Sequence, residues 1–182
     1  LAAHNIVLNV TSITFMIPYA MGQAGTVRVG YALGAGRPTD ARQAGLVAIA
    51  LALLWMLFGA LTMWRAPVWI SAFYLDLADP RNAAALAVAM TLFPIAAIFQ
   101  FFDGLQVSAL GALRGYKDTK VPMLIAFIGY WVLGIGGGIS LAYVLDVKGP
   151  GVWWGLAIGL AASGTMLLLR FLHLSRRHLV ID

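Results

Sequence analysis

The chain has 182 residues, of which 62% are hydrophobic and only 10% are charged. An ordinary soluble domain carries about 25% charged residues, and a small chain cannot hide this much apolar surface from water. The composition therefore excludes a soluble enzyme, a disordered tail and a disulfide scaffold. The net charge of +5 is expected in basic loops that flank a membrane rather than in a nucleic-acid interface.

Five uncharged runs divide the sequence, and each reaches the roughly 20 residues that an α-helix needs to cross a bilayer. Transmembrane β-strands would be about 10 residues long and would alternate strictly in polarity, which this sequence does not do. The pattern predicts an all-α integral membrane protein with five transmembrane helices. They are expected over residues 3–34, 40–64, 83–113, 120–145 and 150–173. Between the second and third spans, the aromatic segment 67–81 predicts a short interfacial helix.

Nine of the twelve Lys and Arg residues fall on one side of these spans. The positive-inside rule places that side in the cytoplasm, together with the C-terminus. The first four residues (LAAH) contain neither Met nor a basic stretch that would start a signal peptide. We therefore expect residues 1–182 to be part of a longer protein that continues upstream.

Asp103 interrupts an otherwise apolar helix. It lies 11 residues from Arg114, which at about 1.5 Å per residue is close to the middle of the hydrocarbon. A charged Asp there costs about 3 kcal/mol on insertion scales, so it is expected to face the bundle interior or a wet cavity. There it can exchange a proton, hold a sodium ion or bind a cationic substrate. The alternative is a structural Asp that is satisfied by neighbouring helices.

Three side chains are predicted to lie near Asp103 on the same helix. Gln100 and Gln106, at i−3 and i+3, are candidates to hydrogen-bond the carboxylate or complete an ion shell. Phe99, at i−4, offers an aromatic wall for an organic cation. For each of them, ordinary helix packing is the competing interpretation.

The first predicted helix carries a polar stripe formed by Asn5, Asn9 and Ser12. Their spacings of four and three residues put them on one helix face. Polar groups at membrane depth either line a cavity or hydrogen-bond between helices. Both interpretations stay open at this stage.

Two glycine-containing stretches carry a resemblance to a known family. The first is residues 28–36 (RVGYALGAG), with Ala41 and Arg42 following. The second is residues 102–107 (FDGLQV), which run into 111–119 (GALRGYKDT). They resemble the multidrug and toxic compound extrusion (MATE) family. The opening AAH with Asn9, and the run at 130–134, are similar to its NorM-like bacterial branch.

This resemblance implies that 1–182 is a partial C-terminal lobe, namely five helices of a MATE-type six-helix lobe. The N-terminal lobe and one further helix, which carries a partner acid, would then be missing. The family consists of secondary antiporters that export organic cations or drugs in exchange for Na⁺ or H⁺. Asp103 matches its cation-coupling acid, and Na⁺ there is the only metal expected. The implied protein is no enzyme and uses no cofactor.

The implied location is the bacterial inner membrane, with the lipid bilayer, a drug substrate and the N-terminal lobe as partners and with no nucleic acid. Two alternatives remain. One is a flippase for lipid-linked saccharides or peptidoglycan precursors, which is expected to place Arg or Lys in its cavity. The other is a membrane assembly subunit that transports nothing, in which Asp103 would be replaceable.

Overall fold

The computed structural model describes residues 2–144 and 148–180, except for the side chains of Lys148 and Val180. Within these ranges it is helical and contains no strand. Five helical segments are long and apolar enough to cross a membrane, as predicted. The helices are α1 (Ala2–Gly34), α2 (Pro38–Arg65), α3 (Pro67–Ala72), α4 (Ala83–Gly115), α5 (Lys120–Phe127), α6 (Gly137–Ile139) and α7 (Lys148–Val180).

Helix α4 lies at the centre of the bundle and packs against α1, α2 and α7. Where α1 crosses α4, a Cβ atom on Gly111 would collide with the backbone of Gly22. Glycine at both positions lets the two backbones approach, as small residues do in other membrane helix pairs. Near this crossing, the Thr26 hydroxyl donates a hydrogen bond to the Gly111 carbonyl at 2.7 Å. The central helix is therefore held by close backbone contact as well as by apolar packing.

The fourth span, residues 120–144, departs from the single regular helix that was predicted. It starts as α5, widens into a π-helical segment at Ile128–Gly136, and passes through α6 into a second π-helical segment at Ser140–Val144. Five glycines lie between 129 and 138, and glycine tolerates such irregular backbone because it has no Cβ. The span also packs tightly on α7, since a Cβ on Gly155 would collide with the backbone of Gly138.

The last helix is longer than predicted, because α7 continues to Val180 rather than ending at 173. Phe171 and Ser175 are fully buried, and the ring of His178 lies 5.2 Å from that of Tyr116. The spacing of four and three residues places all three on one face, so the basic end of the chain forms an amphipathic helix. Residues 145–147, between the fourth and fifth spans, and the last two residues lie outside the described residues.

The connection between α2 and α4 contains a short helix, as predicted within 67–81. Only α3 and a 3₁₀ turn at Pro80–Asn82 are helical there. The Asp79 carboxylate accepts a hydrogen bond from the backbone N–H of Arg81 and forms an ion pair with its guanidinium. These contacts hold the pKa of Asp79 below its usual value. Exposed aromatic rings lie within α3 and just after it, with Trp69 and Phe73 in edge contact at 4.8 Å.

Candidate functional site

Asp103 lies in the central part of α4, the helix that contacts most of the bundle. Its side chain is half-buried. Within residues 2–144 and 148–180, its carboxylate forms no ion pair. A carboxylate in a membrane span without a cationic partner is compatible with binding a proton or a cation, and that role stays a prediction.

Tyr130 is a polar residue that was not predicted as part of the site. It lies in the π-helical part of the fourth span and is exposed. π-helical segments are rare and occur frequently at functional sites. The sequence pointed to residues 130–134 only through the family resemblance. The signal that could have singled out Tyr130 is its phenol side chain, which lies in an otherwise apolar span.

Gln100 is not directed to Asp103, although it lies only three residues away. Its side chain is 1% exposed. The Thr14 hydroxyl donates to its Oε1 at 2.7 Å, and its Nε2 donates to the Met56 carbonyl at 3.4 Å. Both ends of the amide are therefore used in the junction of α1, α2 and α4, as in the packing interpretation.

Phe99 and Gln106 face α7. Phe99 makes an edge contact with Trp153, with the ring centres 5.6 Å apart. Trp153 in turn donates from Nε1 to Nδ1 of His4 at 3.3 Å. Gln106 is buried, close to the point where Gly164 of α7 passes α4. Phe99 thus forms an aromatic cluster with Trp153 and His4 and packs against the buried core. An aromatic wall for a cation at Asp103 stays a prediction.

The predicted stripe of Asn5, Asn9 and Ser12 is exposed along α1. Asn9 donates only within its own helix, to the Asn5 carbonyl at 2.9 Å. The same face continues to Tyr19 and Gln23, which are hydrogen-bonded to each other at 3.1 Å. Within the part of the chain that is described, the stripe forms no hydrogen bond to another helix. It is therefore available to water, substrate or further protein.

Asp103 is the residue at which a monovalent cation was predicted to bind, and the described residues bear on a clustered metal centre as well. No group of three or more His, Cys, Asp or Glu side chains that could hold a metal occurs in residues 2–144 and 148–180. Asp103 supplies a single negative charge, and an acidic side chain inside a membrane span is a candidate to bind a proton or a monovalent cation.

Comparison with known proteins identifies the family. The model of the MatE family matches residues 1–139. The multidrug resistance protein NorM of Burkholderia vietnamiensis is 48% identical over 180 residues, which cover 99% of this chain and 39% of that protein. The probable multidrug resistance protein NorM of Mesorhizobium japonicum is 44% identical over 176 residues, which are 97% of this chain and 38% of that protein.

A solved structure has the same fold. The crystal structure of the eukaryotic MATE transporter AtDTX14 superposes with a TM-score of 0.84 at 21% identity, covering 97% of this chain and 40% of that one. At this level of identity the likeness concerns the fold alone. The chain spans about two fifths of the length of the relatives that it matches.

Proposed function

This chain belongs to the MatE family, and we propose that the full-length protein that carries it is a secondary multidrug efflux antiporter. It would export organic cations or drugs in exchange for Na⁺ or H⁺. The observation that supports this most directly is Asp103, a carboxylate in the middle of a membrane span without an ion-pair partner in the described residues. The 182-residue segment would supply only part of the transport machinery.

The proposed mechanism rests on competition at Asp103. A proton or Na⁺ on the carboxylate neutralises the charge that an organic cation needs, so the two ligands exclude each other. Such exclusion is a coupling free energy between ligands. If the protein alternates between inward-open and outward-open states, as secondary transporters with sites near the midplane do, ion entry then drives substrate release.

The aromatic cluster gives the substrate side of this competition. Phe99 lies one helical turn from Asp103 on α4, and aromatic faces attract organic cations by about 0.5–2 kcal/mol. A flat, positively charged drug would gain from the carboxylate and from the Phe99 ring, whereas a hydrated inorganic cation would gain only from the carboxylate. The site would therefore accept substrates that differ in shape but share a positive charge.

Flippase activity is less well supported by this chain. Binding a lipid diphosphate near the midplane needs basic side chains there. All twelve Lys and Arg residues of the sequence lie towards the ends of the predicted spans or in the connections. The location that follows from the proposed function is the bacterial inner membrane, with the C-terminus in the cytoplasm.

The test uses the full-length protein in vesicles, with a fluorescent organic cation and an imposed Na⁺ or H⁺ gradient. Asp103→Asn is nearly isosteric but cannot titrate, so it should insert normally and lose ion-driven efflux. Asp103→Glu should keep part of the activity. Asp40→Asn makes the same chemical change at an exposed position and serves as the control. Near-normal efflux by Asp103→Asn at matched protein levels would refute the coupling role.

A further inference from the structure

A groove between α1 and α2 takes no part in the proposed transport site. Its volume is about 520 Å³, which lies within the range of small-molecule cavities, about 300–1,000 Å³. It opens beside the connection between the two helices, at the end of the bundle that is predicted to be cytoplasmic. Near Gly25 and Ala48 the helices converge, because a Cβ on Gly25 would lie 2.9 Å from that of Ala48.

The polarity of the groove changes along its length. Arg28, Tyr31 and Arg37 line the mouth, and Met21, Val47 and Leu51 line the inner part. Met21 lies seven residues from Arg28 on the same helix, a rise of about 10 Å. The groove therefore runs from a basic rim at the membrane surface into the depth that acyl chains occupy.

The charge at the mouth favours an anion. The Arg37 guanidinium forms an exposed ion pair with Asp40 at 3.1 Å and lies 5.9 Å from the centre of the Tyr31 ring. Arg28 forms no ion pair with any described residue. The two arginines thus outweigh the single carboxylate, and an organic cation of the kind proposed as substrate would be repelled.

We propose that this groove binds one anionic phospholipid. Its phosphate would contact Arg28 and Arg37, and one acyl chain would lie along Met21, Val47 and Leu51. Basic pockets between membrane helices on the cytoplasmic side are a recognised way of binding anionic headgroups, and the apolar inner part matches the attached chain. The proposal does not depend on the transport mechanism, since Asp103 is not part of the groove.

The experiment measures lipid retained by the purified full-length protein in native mass spectrometry. Phosphatidylglycerol is compared with phosphatidylcholine of the same acyl chains, and inorganic phosphate is added in a third arm. Arg28→Gln removes the unpaired charge, and Val47→Trp fills the inner groove without changing any charge. Lys120→Gln removes a positive charge from an exposed residue at the same end of the bundle, outside the groove.

Wild type and Lys120→Gln should retain phosphatidylglycerol in preference to phosphatidylcholine, and inorganic phosphate should not displace it. Arg28→Gln and Val47→Trp should each lower its retention several-fold. Unchanged retention in both variants would overturn the proposal, as would equal retention of the two lipids or displacement by inorganic phosphate. Efficient crosslinking of a cysteine at position 47 to another part of the full-length protein would show that protein, not lipid, fills the groove.

Discussion

The Arg170 Nε atom lies 2.9 Å from Oδ2 of Asp118 and joins the α4–α5 connection to α7. The side chain of Asp118 is only 12% exposed and that of Arg170 34%. The pair therefore lies in a less screened position than the Arg37–Asp40 pair, in which both side chains are about half exposed. Asp118 belongs to the segment 111–119 that carried the family resemblance, and the ion pair with Arg170 gives this residue a structural role.

Breaking this pair should destabilise the protein. Asp118→Asn should lower the free energy of unfolding by about 1–2 kcal/mol, because a charge-assisted hydrogen bond is lost and Arg170 stays partly buried. Asp40→Asn should cost less, since exposed pairs contribute about 0–1 kcal/mol. Thermal unfolding of the two variants in the same detergent provides the comparison. Equal shifts in the unfolding temperature of the two variants would show that the Asp118–Arg170 pair stabilises the protein no more than the exposed Arg37–Asp40 pair does.

The contact between α7 and the fourth span predicts an unequal effect of two neighbouring substitutions. Gly155→Leu should damage assembly, because its side chain would collide with Gly138 and force the helices apart. Leu156→Ala removes a half-buried side chain and should be tolerated better. The measurement is the yield of monodisperse protein after detergent extraction. Equal yields of the two variants would contradict the importance of the Gly155–Gly138 contact for assembly.

The Thr14–Gln100 hydrogen bond predicts that replacing either side chain lowers the stability of the protein without affecting ion coupling at Asp103. Gln100→Leu should lower the free energy of unfolding by about 1 kcal/mol, in line with hydrogen bonds between membrane helices. Thr14→Val should cost a similar amount, and the double variant should cost less than the sum of the two. If the Gln100 amide instead binds the ion at Asp103, Gln100→Leu will lose ion-driven efflux while the midpoint of thermal unfolding stays unchanged.

The predicted orientation can be read from cysteine labelling, because residues 1–182 contain no cysteine. In a full-length protein cleared of other cysteines, Thr39→Cys should react with an impermeant thiol reagent only after the cells are opened. Phe73→Cys, which is 71% exposed in the native chain, should react from outside. Labelling of position 39 in intact cells would reverse the topology.

The number of spans and most of their bounds could be predicted from hydropathy. In hydrocarbon every backbone N–H and C=O must be hydrogen-bonded within the protein. A long apolar run therefore forms an α-helix, which pairs these groups within the segment itself. The end of α7 was missed because residues 171–180 are amphipathic rather than apolar, and their helix is stabilised by packing against Tyr116. The π-helical course of the fourth span depends on its glycines and on contact with α7, neither of which hydropathy measures.

For the candidate site, the sequence by itself determined that Asp103 stands at membrane depth, because depth follows from position along a helix. The directions of the surrounding side chains were decided only by tertiary structure. Gln100 turns to Thr14 and Met56, whereas Phe99 packs on Trp153 of α7. Helical periodicity fixes which residues share a face of one helix, but the helix that covers that face is chosen by packing between segments far apart in the chain.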